Sequence, residues 1–306
     1  MLARLWTSAR WRLRSRRVEA SYRLHGAVTN RRARLGRVDP PELNAAQGLA
    51  VAALRRDGIA IAHVDDLVGD RARWDELVAS ATEFATSAQA RIGDLEAPTL
   101  KSDYVIRRPE EGSCPTIAPD DPWLRLGTSP EILGVVNAYR ELWMKLVNVE
   151  LWYTIPFLGG TERVASQRWH RDPRDSRIVK VFVYFSDVDD TAGPLQYVAG
   201  STEGRPYGDF FPWRLHGEKY PPDDEFARAI PESAWVTATG RAGTVVFCDT
   251  SGFHRGGYAT EKPRVSSVHH YVSPAAVAAN TQPRLFRVGG AVPAEDDTTA
   301  SGFALR

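Results

Sequence analysis

Hydrophobic and polar positions follow two different periods along the chain. Apolar residues first recur at helical spacing, which predicts helices over Glu42–Arg56, Arg71–Ala90 and Pro130–Trp143, with a short buried strand at Ile59–Val64. From Val147 onward the apolar runs are short and are separated by Gly, Pro and Asp. Strands are predicted over Val147–Ile155, Ile178–Phe185, Leu195–Val198, Trp235–Ala238, Thr244–Cys248 and Val265–Val272. This texture indicates a mainly β protein with flanking helices (α+β), built around a barrel or sandwich.

The first 38 residues differ from the rest of the chain in charge. Residues 1–37 hold eleven Arg and one acid, Glu19, so they carry about +10 of a formal net charge of only +1. Leu2, Leu5 and Leu13 share one face of a helix with other apolar residues, which is typical of a basic amphipathic helix. We interpret 1–38 as an arm on a domain over 39–306. Residues 1–37 are expected to contact a membrane surface, or to dock on the body of the protein or on a second subunit, and no nucleic-acid partner is expected.

The cysteine and hydropathy patterns limit the compartment and the class of site. Cys114 and Cys248 are the only cysteines, and they form no C-x-x-C motif, so neither a disulfide framework nor a thiolate zinc site is supported. The chain shows no export signal and no apolar run long enough to cross a bilayer. A cytoplasmic protein acting on a small molecule is therefore expected.

Three residues have the spacing of a metal site. His170 and Asp172 lie two apart, so on a strand their side chains point to the same side. His254 follows the predicted strand Thr244–Cys248 and a turn, and distant barrel strands can bring it to the same place. Two imidazoles and one carboxylate leave open positions on an octahedral ion, which suits iron(II) oxygenases. The pair of His170 and Asp172 alone is weak evidence for a metal site, because His170 could be a core histidine bonded to Asp172.

A second pair of residues makes the metal interpretation more specific. Arg264 and Ser266 follow His254 by ten and twelve residues and share one face of a predicted strand. A guanidinium and a hydroxyl side by side form a receptor for a buried carboxylate. This predicts an anchor for the distal carboxylate of 2-oxoglutarate, whose other end would chelate the metal.

With these residues in place, the chain resembles the phytanoyl-CoA dioxygenase family of Fe(II)/2-oxoglutarate-dependent oxygenases. The resemblance covers roughly residues 42–275. It rests on His170-Arg171-Asp172, the strand Lys180–Asp187, the turn Gly193–Ser201, His254 with Arg264, and the helix-to-strand step Arg56–Ala60. It implies a double-stranded β-helix, also called a jelly-roll or cupin-like core. The family often has a His after the Gly-Ser of the turn, whereas Thr202 and Glu203 follow Ser201 here.

The resemblance also implies cofactors and further site residues. Fe(II) would be held by His170, Asp172 and His254, with 2-oxoglutarate and O2 as co-substrates, and hydroxylation with release of succinate and CO2 is the expected outcome. By analogy with some members, Gln167 is expected to contact the co-substrate. Lys180 lies among valines, and it is interpreted either as an anion-binding residue inside the barrel or as an outward residue reaching solvent.

Candidate substrate contacts are less specific. The residues proposed for this role are Trp152, Tyr153, Arg171, Phe211 and Trp213. The last two belong to a polar insert at 202–233, which we interpret as a lid over the barrel mouth. Acyl-CoA thioesters, natural-product intermediates and lipid- or sugar-type molecules all remain open as substrates.

Two other functions use the same residues. A catalytically silent barrel would bind a ligand without chemistry, and a zinc hydrolase would use the same three metal ligands. The Arg264–Ser266 pair favours the oxygenase, because neither alternative needs a distal carboxylate anchor.

Overall fold

A computed structural model of the chain describes residues 19–34, 42–92, 100–157, 162–290 and 299–306. The amphipathic helix predicted around Leu2–Leu13 lies outside the described residues. A helix through 19–29 (α1) leads into a 3-10 turn at Asn30–Ala33. The other helices are α2 Ala45–Asp57, α3 Val64–Leu67, α4 Arg71–Gln89, α5 Lys101–Tyr104, α6 Pro122–Gly127, α7 Pro130–Arg140, α8 Asp223–Ala229, α9 Pro274–Ala278 and α10 Ala300–Leu305. Within the described ranges, none of these helices has the length and apolarity needed to span a bilayer.

The strands form two antiparallel sheets and one small parallel pair. Their bounds are β1 Ile59–His63, β2 Val105–Arg108, β3 Thr116–Ile117, β4 Lys145–Thr154, β5 Val179–Tyr184, β6 Leu195–Val198, β7 Trp235–Ala238, β8 Thr244–Cys248, β9 His254–Gly256, β10 Arg264–Val272 and β11 Arg287–Val288. The large sheet has the order β1-β8-β5-β10-β4-β2, and the small sheet has the order β7-β6-β9. The two sheets face each other across a core that includes Phe182, Tyr197 and Val246. The predicted mainly β jelly-roll architecture with flanking helices is confirmed.

Side chains of the large sheet alternate between two environments. The main hydrophobic core, between this sheet and the helices, contains Leu54, Leu77 and Leu133 from the helices and Val265 and Tyr271 from β10. The alternate positions of the same strands point between the two sheets. This alternation decides which residues can reach a ligand inside the barrel.

The step from α2 into β1 fixes the start of the large sheet. Asn44 and Gln47 form a reciprocal capping box that satisfies backbone donors at the start of α2. Gly58 ends the helix with a left-handed φ of 83°, a conformation that favours glycine. A Cβ at Gly58 would overlap the hydroxyl of Tyr197. The small residue therefore lets the helix end directly against the barrel.

Residues 19–34 of the predicted N-terminal arm lie against the barrel. Tyr22 and Ala33 are buried, and the Tyr22 hydroxyl donates to Asp175 Oδ1 at 2.9 Å. Asn30 accepts a hydrogen bond from the Ala275 backbone at 3.0 Å. This part of the predicted arm therefore docks on the body of the protein, and the domain boundary at residue 38 stays a prediction. Residues 1–18 lie outside the described part of the chain.

Candidate active site

A short antiparallel ladder brings the three predicted metal ligands together. His170 and His254 exchange two backbone hydrogen bonds of 3.0 Å each, and the Asp172 backbone N–H donates to Thr250 at 2.8 Å. Residues two apart on such a ladder present their side chains to the same side. One ligand atom from each of His170, Asp172 and His254 lies within 4.8 Å of the other two. The group is therefore compact enough to hold one metal ion.

The hydrogen bonds of the two imidazoles leave one ring nitrogen free on each. Nδ1 of His170 lies 2.8 Å from the Arg168 carbonyl, and Nδ1 of His254 lies 3.1 Å from the Gly252 carbonyl. A carbonyl accepts only, so each Nδ1 carries the proton and each Nε2 is left as a ligand atom. Burial lowers the pKa of His254 to about 4. Burial and then His254 lower the pKa of His170 well below its usual range, so both rings are neutral at pH 7.

Lys180 contacts the carboxylate of the group. Its ammonium lies 2.7 Å from Asp172 Oδ2, and His254 Nε2 lies 3.7 Å from the same oxygen. Burial would raise the pKa of Asp172, but Lys180 and the two imidazoles outweigh it and hold that pKa well below its usual range. Asp172 is therefore ionised, as a metal ligand must be. Of the two interpretations of Lys180, the structure supports the inward one.

The predicted carboxylate anchor lies on the interior face of the large sheet. Arg264 is opposite Thr154 on β4, and Ser266 is opposite both Trp152 and Tyr184. Arg264 is only 6% exposed, its Nη2 donates to the Thr154 hydroxyl at 3.4 Å, and its guanidinium also interacts with the Tyr184 hydroxyl. Its Nε and Nη1 are buried without an acceptor. Since buried guanidinium nitrogens are normally paired, the geometry fits a missing anionic partner.

A cavity of about 720 Å³ adjoins the metal ligands. Asp172 and Lys180 line it together with Trp152, so one of the predicted substrate contacts does face this space. Several other lining residues were not predicted as substrate contacts from the sequence: Lys101, Arg107, Asn148, Glu150, Tyr220 and His270. Glu150 and His270 could have been found from strand alternation, because Glu150 is two residues from Trp152 and His270 is opposite Lys180.

Four predicted substrate contacts do not line this cavity and need correction. Tyr153 belongs to the core between the sheet and the helices, because it alternates with Trp152 on β4. The Arg171 guanidinium donates to the carbonyls of Ser201 and Ser251 at 2.6 and 2.8 Å and holds the surrounding turns. Phe211 packs beside an aromatic cluster around Trp169. Trp213 lines a different cavity.

Gln167 also has a local partner. It is buried, and its side-chain oxygen accepts a hydrogen bond from the Val164 backbone at 3.1 Å. This contact caps the 3-10 turn Ala165–Gln167 just before His170. A contact between Gln167 and a co-substrate stays a prediction.

The insert at 202–233 is bonded to the segment that carries Asp172. The Trp213 indole donates to the Asp172 carbonyl at 2.7 Å. The Arg171 backbone N–H donates to Lys219 at 3.0 Å, and the His216 backbone N–H donates to Pro173 at 2.9 Å. Part of the insert, from His216 to Tyr220, lines the cavity. This part of the insert therefore borders the cavity, and its role as a lid stays a prediction.

Sequence comparison links the part of the chain that carries the site to a known family. The family model for phytanoyl-CoA dioxygenase (PhyH) matches residues 134–266. This stretch contains His170, Asp172 and His254 as well as Arg264 and Ser266. The resemblance to this family is thereby confirmed over these residues, and it supports iron- and 2-oxoglutarate-dependent oxygenase chemistry. No curated protein matches the chain.

Solved structures of EctD agree on the fold. EctD from S. alaskensis with 2-oxoglutarate and 5-hydroxyectoine is 19% identical with a TM-score of 0.52, over 79% of this chain and 82% of that one. EctD from S. alaskensis with bound Fe is 21% identical with a TM-score of 0.51, over 79% and 83%. The epimerase SnoN in complex with Fe3+, alpha ketoglutarate and nogalamycin RO is 22% identical with a TM-score of 0.48, over 75% and 84%.

Proposed function

We propose that this protein is an Fe(II)/2-oxoglutarate-dependent dioxygenase that hydroxylates a small organic substrate. The observation that carries the proposal is the combination of a buried His170–Asp172–His254 group with a buried Arg264 that has two unpaired nitrogens. The first group suits an iron(II) ion, and the second suits the distal carboxylate of the co-substrate.

Each part of the site would have a separate task. Iron(II), when bound, supplies the activation of O2 at positions that the three protein ligands leave open. The neutral imidazoles and the ionised Asp172 hold the ion, and Arg264 orients the co-substrate through its carboxylate. Asp172 and the two carboxylates of 2-oxoglutarate together exceed a divalent cation by one negative charge, which Arg264 would balance, and Lys180 pairs with Asp172.

The proposal also specifies the type of reaction, which is hydroxylation. Asp172 occupies the carboxylate position, so a six-coordinate ion with a chelating co-substrate has one site left for O2 and none for a halide. Oxygen rather than chlorine is therefore expected in the product.

The two alternative functions fit the described residues less well. A zinc hydrolase needs the three ligands but gives no reason for the unpaired nitrogens of Arg264. A catalytically silent barrel gives no reason for a compact group of two neutral imidazoles and an ionised carboxylate. The dioxygenase accounts for both features.

The test is an anaerobic titration of the Arg264→Ala protein with iron(II) and then 2-oxoglutarate. Loss of a charge-assisted bidentate contact should weaken 2-oxoglutarate binding by about 1.5 to 3 kcal/mol, whereas iron binding should persist. Arg241→Ala, at an exposed arginine paired with Asp65, is the matched control. Unchanged 2-oxoglutarate affinity in Arg264→Ala would contradict the proposed function. A substrate screen scored by succinate release would then identify the reaction.

A further inference from the structure

The charges that line the metal-site cavity are not all paired. Glu150 accepts from the Trp152 indole at 2.9 Å and lies 3.8 Å from the Arg107 guanidinium. Asp172 is paired with Lys180. These contacts engage both carboxylates that lie deep in the cavity, and the third lining carboxylate, Glu218, lies in the insert.

Lys101 is one of the cations in the cavity that these carboxylates leave unpaired. Its ammonium lies 3.8 Å from the centroid of the Trp152 ring. Across the described ranges it forms no ion pair with any carboxylate. Burial, Lys180 and Arg107 together lower the pKa of Lys101 to about 7 and outweigh the opposite effects of Glu150 and Asp172.

A second polar group in the cavity also lacks a partner. His270 Nε2 is buried and makes no hydrogen bond within the described residues. It lies opposite Lys180 on β5 and at 4.0 Å from Glu150 Oε2. The cavity thus contains a half-buried cation without an ion pair and a buried ring nitrogen without a hydrogen bond, both judged among the described residues.

We propose that the substrate carries an anionic oxygen group, a carboxylate or a phosphate, that binds at Lys101. This rests on the proposed function and specifies its substrate class. The anion would pair with the Lys101 ammonium beside Trp152, while the carbon to be oxidised lies toward Asp172 in the same cavity. Lys101 is then a specificity-determining residue and not a metal or co-substrate ligand.

The charge of the walls favours an anion over a cationic or neutral substrate. Lys101, Arg107, Arg174, Lys180 and Lys219 line the cavity, against Glu150, Asp172 and Glu218. A cationic group beside Lys101 would meet like charge in a poorly hydrated space, which is costly. A neutral group would leave Lys101 without a counter-ion.

The test measures binding to the intact protein loaded anaerobically with iron(II) and 2-oxoglutarate. The probes are benzoate, phenyl phosphate and hexanoate, with benzamide and hexanamide as neutral counterparts, in equilibrium dialysis. The wild-type protein should bind at least one anion in preference to its neutral counterpart. Lys101→Met should weaken that binding at least about tenfold, as expected when one partner of a buried charge pair is removed. Lys101→Arg should largely restore it.

The control is Lys262→Met, at an exposed lysine that pairs with Asp189, and it should bind the anions like the wild type. Equal binding of anions and amides, no binding of any anion, or full affinity in Lys101→Met would overturn the inference. Iron and 2-oxoglutarate binding are measured in the same samples. If the wild-type protein binds neither iron nor 2-oxoglutarate, the proposed function is contradicted instead. Failure of the anion-binding inference and failure of the proposed function are therefore distinguishable.

Discussion

The two faces of strand β10 carry similar residue types in opposite states of hydrogen bonding. On the face toward the helices, His269 Nε2 lies 3.0 Å from the Trp123 carbonyl, and the Tyr271 hydroxyl donates to Gly127 at 2.7 Å. On the face toward the barrel interior, Arg264 and His270 keep buried nitrogens without partners. Ser267, whose hydroxyl is also unpaired, is an exception on the helix-facing side.

This difference separates stability from binding within one strand. A buried polar group that has its partner stabilises the fold, whereas a buried group without one costs stability until a ligand supplies the partner. Changes on the helix-facing side should therefore affect unfolding. Changes on the interior side should affect binding and turnover.

The largest effect is expected for Asp172. Its carboxylate pairs with Lys180 on β5, the strand next to β10, and so lies toward the barrel interior. Asp172→Ala removes one of three metal ligands and should lower product formation at least about a thousandfold, even in excess chloride. The measurement is iron affinity together with product analysis by mass spectrometry, and Asp189→Ala at an exposed aspartate is the control. Full hydroxylation by Asp172→Ala, or a chlorinated product from the wild type, would break the assignment.

The second prediction concerns pH and the helix-facing His269. Burial lowers the pKa of His269 to about 4, below the value of about 6.5 for an unfolded histidine. Between these values the unfolded chain binds a proton that the folded one does not, so stability is lost as pH falls from about 6.5 to 4. The contribution is on the order of 3 kcal/mol. His269→Gln should therefore make the free energy of unfolding of the iron-free protein less dependent on pH in this window.

Urea unfolding of the iron-free protein at a series of pH values measures this dependence. His25→Gln, at an exposed histidine of α1, is the control and should keep the wild-type slope. If His269→Gln also keeps that slope, His269 does not stay neutral in the folded protein, and the contrast between the two faces loses one of its supports.

The smallest effect is expected for Tyr271→Phe. It removes the hydrogen bond to Gly127 and leaves a buried carbonyl unpaired, which should lower the free energy of unfolding by about 1 to 3 kcal/mol. The affinity for 2-oxoglutarate should not change, because the side chain points away from the interior. Tyr153→Phe is the matched control, since the Tyr153 hydroxyl makes no hydrogen bond within the described residues. Weaker 2-oxoglutarate binding without a loss of stability would contradict the expectation that the helix-facing side of β10 contributes to stability and the interior side to binding.

The sequence predicted several strands closely, because short runs of apolar and β-branched residues between turn residues indicate strands. Leu195–Val198, Trp235–Ala238 and Thr244–Cys248 have the predicted bounds. Strand Val105–Arg108 was missed because two of its four residues are arginines. His254–Gly256 was missed because three residues carry too short a pattern.

The candidate site divides in the same way. The grouping of His170, Asp172 and His254 could be expected from spacing, whereas the partner of Lys180 depends on which strands are neighbours. Strand alternation places the side chains of Trp152 and Tyr153 on opposite faces of β4. It tells which of them faces the interior only once the direction of one side chain is known. Lys101 precedes a short strand and carries no motif, so its position beside Trp152 appears only in three dimensions.

The three hydrogen bonds between the insert and residues 171–173 bear on how a substrate reaches the metal. Because Trp213, His216 and Lys219 all bond to that segment, the insert cannot swing away as a rigid flap without pulling on Asp172. Movement of the insert would therefore also move Asp172, one of the residues that would hold the ion. A substrate that enters beside the insert would leave Asp172 in place, whereas one that displaces the insert would shift it.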